Sequence, residues 1–176
     1  MSRSVGSISR AAGRAGSLAL AYSSGNRDAL RDAGLSYDDL QALRDPVAVG
    51  LRIVEAAFDA QADSSIADAE ERDIVATVVA WILEQPTGQA PSPEDVVRKT
   101  IETTIAETAL TEVASTVYAK QASREKRRDL ERQIREVAAE YAAQASLSPT
   151  GATAQELSQA IETGVRDIGV IFGVDS

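Results

Sequence analysis

The chain has 176 residues, 44% of them hydrophobic and only 4% aromatic, with a formal net charge of -9. That length suggests one domain whose core is built from Ala, Val, Ile and Leu, and the acidic balance argues against a general nucleic-acid binder or an anionic membrane surface as partner. Cysteine and histidine are both absent, which excludes disulfides, thiolate chemistry, a Ser-His-Asp triad, a histidine general base and imidazole metal sites.

Residues 1–22 are rich in Ser, Gly and Ala and carry Arg3, Arg10 and Arg14 without one acid. They read either as a frayed, partly helical start or as an arm that docks on an acidic partner or on the chain's own acidic surface. If the stretch is helical, Ala11, Ala12, Gly13, Ala15 and Gly16 let another helix come close. Gly6, Ser7, Gly13 and Gly16 break the apolar run that a signal peptide needs, so a cytoplasmic location is expected. The expected organisation is a basic arm or helix over 1–22 and a helical domain over 23–176.

Ser23-Ser24-Gly25-Asn26 is a turn and cap. A short helix over 27–33 stops at Gly34, a good residue to follow a helix end. Ser36 caps another short helix over 37–43, with Asp38 and Asp39 at its positive end. Asp45-Pro46 starts the next, running to about Gln61 and expected to bury Val47, Leu51, Val54 and Phe58, with Gly50 near a close crossing. Asp63-Ser64-Ser65 resets the chain. The helix over 66–85 has an acidic first half and an almost wholly apolar second half, Ile74 to Leu83, which calls for burial on most sides.

Pro86 to Pro91 is a loop. Behind it Ser92-Pro93-Glu94-Asp95 reads as an N-cap, a first-turn proline and helix-start carboxylates. Val97, Ile101, Ile105, Leu110, Val113 and Val117 then form a stripe with no interruption as far as Lys120. This is the long central helix. A tight hairpin at 121–123 leads into a helix over 124–145 with its own stripe of Leu130, Ile134, Val137, Ala138 and Tyr141. Its first half mixes both signs, and Glu131 and Arg135 have the spacing of a same-face pair. It reads as a solvated, salt-bridged face or as a docking stripe for an acidic partner. After a loop over 146–151, the capping box Thr153-Ala154-Gln155-Glu156 opens a last helix with Leu157, Ile161, Val165, Ile168 and Phe172 inward. The fold class is all-α: a single globular domain of about six to eight helices around a long central helix.

Chemistry is sparse. Asp68, Glu70, Glu71 and Asp73 could hold Mg²⁺ only if Glu102 or Glu107 faced Glu70 and Asp73 from the central helix. That is the enzymatic alternative, a carboxylate-Mg²⁺ nucleotide hydrolase with Glu70, Asp73 and Glu102 as its ligands. An acidic solvent face is the simpler reading. Lys99 and Lys120 are ordinary helix lysines. Gly13-Arg14-Ala15-Gly16 lacks the Lys-Ser/Thr and the preceding strand of a phosphate loop. Trp81 is a core anchor or an interface anchor.

The order of segments resembles one family. It is carried by the Arg-Ser-Val-Gly start, Ala-Gly-Arg-Ala-Gly, Arg27-Asp28-Ala29-Leu30-Arg31-Asp32-Ala33-Gly34-Leu35, Val49-Gly50-Leu51, Ser65-Ile66-Ala67-Asp68-Ala69, the central helix, and Leu130-Glu131-Arg132-Gln133-Ile134-Arg135. The family is the C-terminal helical domain of the B component of Qat anti-phage systems, and the likeness runs from about residue 3 to residue 168 as pattern, without a sharp motif. The resemblance implies an accessory protein, encoded beside an ATPase, a QueC-like deazaguanine enzyme and a TatD-like nuclease, and bound to the QueC-like partner. It also implies a Gly-rich N-terminal tail on which that partner acts. Here the chain departs from the family: it begins Met1-Ser2-Arg3, so the modification site maps onto no residue. Either the tail has been trimmed or this is a stand-alone relative.

The expected function is therefore a non-catalytic partner-binding subunit of a prokaryotic anti-phage defence complex, docking a QueC-like enzyme encoded nearby. No cofactor, no direct nucleic-acid contact and no membrane are expected. The partner would meet Arg3, Arg10 and Arg14 or Arg124, Arg127 and Arg128. A structural homodimer is the remaining alternative and would leave an apolar stripe exposed on the monomer.

Overall fold

A computed structural model of the chain describes residues 2–59, 69–86, 88–119, 123–144, 151 and 153–171, with side chains of 2–5, 111–119 and 167–171 outside that description. Among the described residues there are eight α-helices and no strand: α1 (Ser2–Ser24), α2 (Arg27–Asp32), α3 (Tyr37–Ala42), α4 (Pro46–Asp59), α5 (Ala69–Glu84), α6 (Pro93–Ala119), α7 (Arg124–Gln144) and α8 (Ala154–Ile171). The expected starts and resets at 60–68, 120–122 and 145–150, and the inward Phe172, lie outside the described residues.

Local chemistry fixes most helix starts. The Ala29 N–H donates to Asn26 Oδ1 at 3.2 Å, the Asp39 N–H to Ser36 Oγ at 3.3 Å, and the Val47 N–H to Asp45 Oδ1 at 3.0 Å. Ser92 and Asp95 cap each other's backbone N–H groups at 3.1 and 3.2 Å, as do Thr153 and Glu156 at 3.3 Å. Each bond satisfies a donor that the helix start leaves free. Gly34 follows α2 at φ +80, where a side chain is disfavoured. The Leu35 N–H then reaches back to the Leu30 carbonyl at 2.9 Å, closing the helix end.

Residues 2–22 are helical, and the rest of the fold leans on them. α1 packs against α8, α5, α4 and α2. Ala11, Ala12, Ala15 and Ala19 have almost no exposure. The small side chains act as expected: a Cβ placed on Gly13 would stand 2.6 Å from the Ala154 carbonyl oxygen and 2.8 Å from the Ser158 nitrogen. The backbones of α1 and α8 thus touch in a way that only glycine permits.

The long helix α6 supports α7 on one side and α5 and α8 on others. Val96, Val97 and Ile101 are buried, as are Thr100, Thr103 and Thr104. The threonine hydroxyls each donate to a carbonyl one turn back, on Val96, Lys99 and Thr100, at 2.8 Å. Such bonds let hydroxyls sit inside a core without an unmet donor. In α5, Ile74, Val75, Val78, Val79 and Ile82 are buried, as its apolar second half requires. Trp81 is half-buried against the core, with the Lys99 ammonium 5.9 Å from its ring centre.

Two stripes differ from the sequence reading. In α4 the buried face is Val49, Ile53, Val54, Ala57 and Phe58, whereas Val47 is 71% and Leu51 57% exposed. The helix is apolar round more than half its circumference, and the positions of α1 and α5 decide which part faces inward. In α7, Ala138 and Ala142 are buried, but Val137 is 49% exposed. The reason is that, among the described residues, α6 is the one substantial neighbour of α7.

Candidate functional site

The arginines singled out from the sequence fall on two helices that lie apart in the packing. Arg10 is exposed on α1. Arg14, one turn on, is half-buried, and its Nη1 is enclosed without a hydrogen-bond partner among the described residues. The side chain of Arg3 lies outside the described residues. Arg124, Arg127 and Arg128 are all exposed on the first turns of α7. α1 lies under α8, α5 and α4, while α7 rests on α6.

Two arginines clamp α7 onto α6. Arg98 of α6 donates from Nη1 to the carbonyls of Ala142 and Ala143, at 2.7 and 3.0 Å. Those carbonyls belong to the last turn of α7, where a cation is favoured. Its Nη2 holds Glu94 at 3.0 Å. Further along, Arg135 of α7 reaches Glu107 of α6 at 3.0 Å and Glu131 of its own helix at 3.3 Å. Burial works against the Arg135 charge, but hydrogen bonds to Glu107 and Glu131 outweigh it and raise its pKa above the ordinary arginine value. Arg132 pairs with Glu136 at 3.0 Å. Sequence reasoning found the Glu131–Arg135 pair from its spacing. It had no signal for Arg98, whose partners lie on another helix.

Half of α7 is thus tied down and half is open. Its outer side carries a shallow groove lined by Arg128, Glu131, Arg132, Arg135 and Glu136.

Among the described residues no three acids come together in a way that could hold a metal ion. Glu102 is paired with Lys99 at 3.0 Å, and Glu71 accepts a hydrogen bond from Ser7 of α1 at 3.0 Å. Asp68 lies outside the described residues. Likewise no helix of the described residues is long and apolar enough to cross a membrane.

Set against known proteins, the chain matches no family model, no curated protein and no solved structure.

Proposed function

We propose that this chain is a non-catalytic, partner-binding subunit of a prokaryotic anti-phage defence complex, working in the cytoplasm and docking a QueC-like enzyme through the outer face of α7. The observation that carries the reading is the way α7 is held. Among the described residues its main neighbour is α6, where Arg98 and Arg135 fasten it, and it turns Arg124 and Arg128 to solvent. A rigid helix that presents basic side chains to solvent suits a partner with an acidic patch. The order of segments, which resembles the Qat B component, supplies the identity of that partner.

The test is co-purification from the native operon with mass spectrometry, run for the wild-type chain and for Arg124→Glu/Arg128→Glu. All the changed positions are exposed, so circular dichroism should be unaltered. The QueC-like enzyme should come down with the wild type and be lost with the variant. If no neighbouring gene product comes down with the wild type, the reading fails.

A further inference from the structure

α7 is held to the body more by charge than by a core. In its 21 residues only Ala138 and Ala142 are buried, while Leu130, Ile134 and Tyr141 are half-buried and Val137 is 49% exposed. α5, of 16 residues, buries Ile74, Val75, Val78, Val79 and Ile82. Apolar area removed from water is the main force between packed helices, so α7 gains much less from its seat than α5 does. What fastens it is Arg98 on the Ala142 and Ala143 carbonyls and Arg135 on Glu107.

The same helix is well able to hold its own shape. It has neither glycine nor proline, and the best helix formers, Ala, Leu, Arg, Lys, Gln and Glu, fill most of it. Ser123 caps its start, accepting from the Lys126 N–H at 3.3 Å. Asp129 and Arg132, Glu131 and Arg135, and Arg132 and Glu136 pair within it. Its length exceeds the roughly 12–15 residues below which an isolated helix is marginal.

We propose that α7 is a detachable arm that lifts off α6 as an intact helix. The bonds inside it outlast those that seat it, and lifting uncovers the stripe of Leu130, Ile134, Ala138 and Tyr141. Openings of this kind begin where the fewest apolar contacts must be given up. Salt promotes the release. Arg135 and Glu107 keep 45% and 29% of their side-chain surface exposed, so ions screen the pair. The backbone bonds of the helix carry no net charge and persist.

The chain has no cysteine, so spin labels attach only where a cysteine is introduced, and pulsed electron resonance reads the distance between two of them. Arg52 of α4 and Glu140 of α7 are exposed, and Arg52→Cys/Glu140→Cys reports the seat. Lys126→Cys/Glu140→Cys lies within α7 and reports the helix itself, with about 21 Å between the two Cα positions. In about 1 M NaCl the first pair should gain a second, longer distance. At low salt Arg98→Ala should raise the share of that distance by about fivefold or more. The second pair should keep its single distance throughout. A first pair that either condition leaves at one distance overturns the proposal. So does a second pair that spreads along with the first, since the helix would then melt rather than detach. The readout involves no partner, so it stands apart from docking on the QueC-like enzyme.

Discussion

Gly13 and Gly50 look alike in the sequence, each a glycine inside a helix. Their surroundings give them opposite roles. A Cβ on Gly13 would lie under 3 Å from backbone atoms of Ala154 and Ser158, which cannot step aside without moving α8. Overpacking of this kind costs about 1–3 kcal/mol, more than the ~1 kcal/mol that alanine contributes as a better helix former. On Gly50 the Cβ would sit at 3.7 Å from Val79 and Leu83, in ordinary contact. Gly13→Ala should therefore lower the urea midpoint, and Gly50→Ala should raise it by up to about 1 kcal/mol in stability. Equal shifts in the two variants would refute the close crossing.

Asp38 gives the pH dependence at this scale. Its hydrogen bond from Arg27 at 2.9 Å, and next the Arg27 charge, hold its carboxyl below the ordinary aspartate value, against a small opposing effect of burial. The folded pKa is depressed, so the contribution is present above the unfolded value of about 4. It is lost as pH falls through the folded one. Both side chains are exposed, and salt weakens the pair. In an NMR titration Arg27→Ala should bring the Asp38 pKa back up, and 1 M salt should do part of the same. An Asp38 curve that neither change moves would contradict the pairing.

Among the elements, what could be read from sequence and what could not divides by the range of the interaction. The caps at Asn26, Ser36, Asp45, Ser92 and Thr153 were legible because cap and donor are two or three residues apart. The inward stripe of α5, and the starts of those of α6 and α8 at Val97, Ile101, Leu157 and Ile161, were legible from their period. The inward face of α4 was not, because Val47 and Leu51 fit the helical period as well as Val49 and Ile53 do. Only the placement of α1 and α5 separates the two. The role of α1 was hidden for a similar reason. Glycine, serine and alanine read locally as a weak helix, yet they are what lets α8, α5 and α4 approach. The clamp of α7 belongs to this scale as well. Arg98→Ala should cost about 1–2 kcal/mol, since it removes a charged donor from two carbonyls at a helix end. Amide exchange should speed up in the last turn of α7 and leave α4 unchanged. Exchange in α7 that stays at the wild-type rate would mean that Arg98 is not what fastens it.

For the whole molecule, the net charge of -9 sets the background against which α7 stands out. Its exposed Arg124, Arg127 and Arg128 put positive charge on an acidic body, the arrangement that in the proposed reading would steer an acidic partner at low salt. The candidate site was half legible: the charged helix could be read, but its isolation on α6 and the exposure of Val137 are tertiary facts. Titration calorimetry of the purified chain against the QueC-like enzyme tests the docking most directly. Saturable binding, weakened at least tenfold by Arg124→Glu/Arg128→Glu, is the predicted result. No heat of binding for the wild type, or an affinity that these α7 changes leave intact, would contradict it.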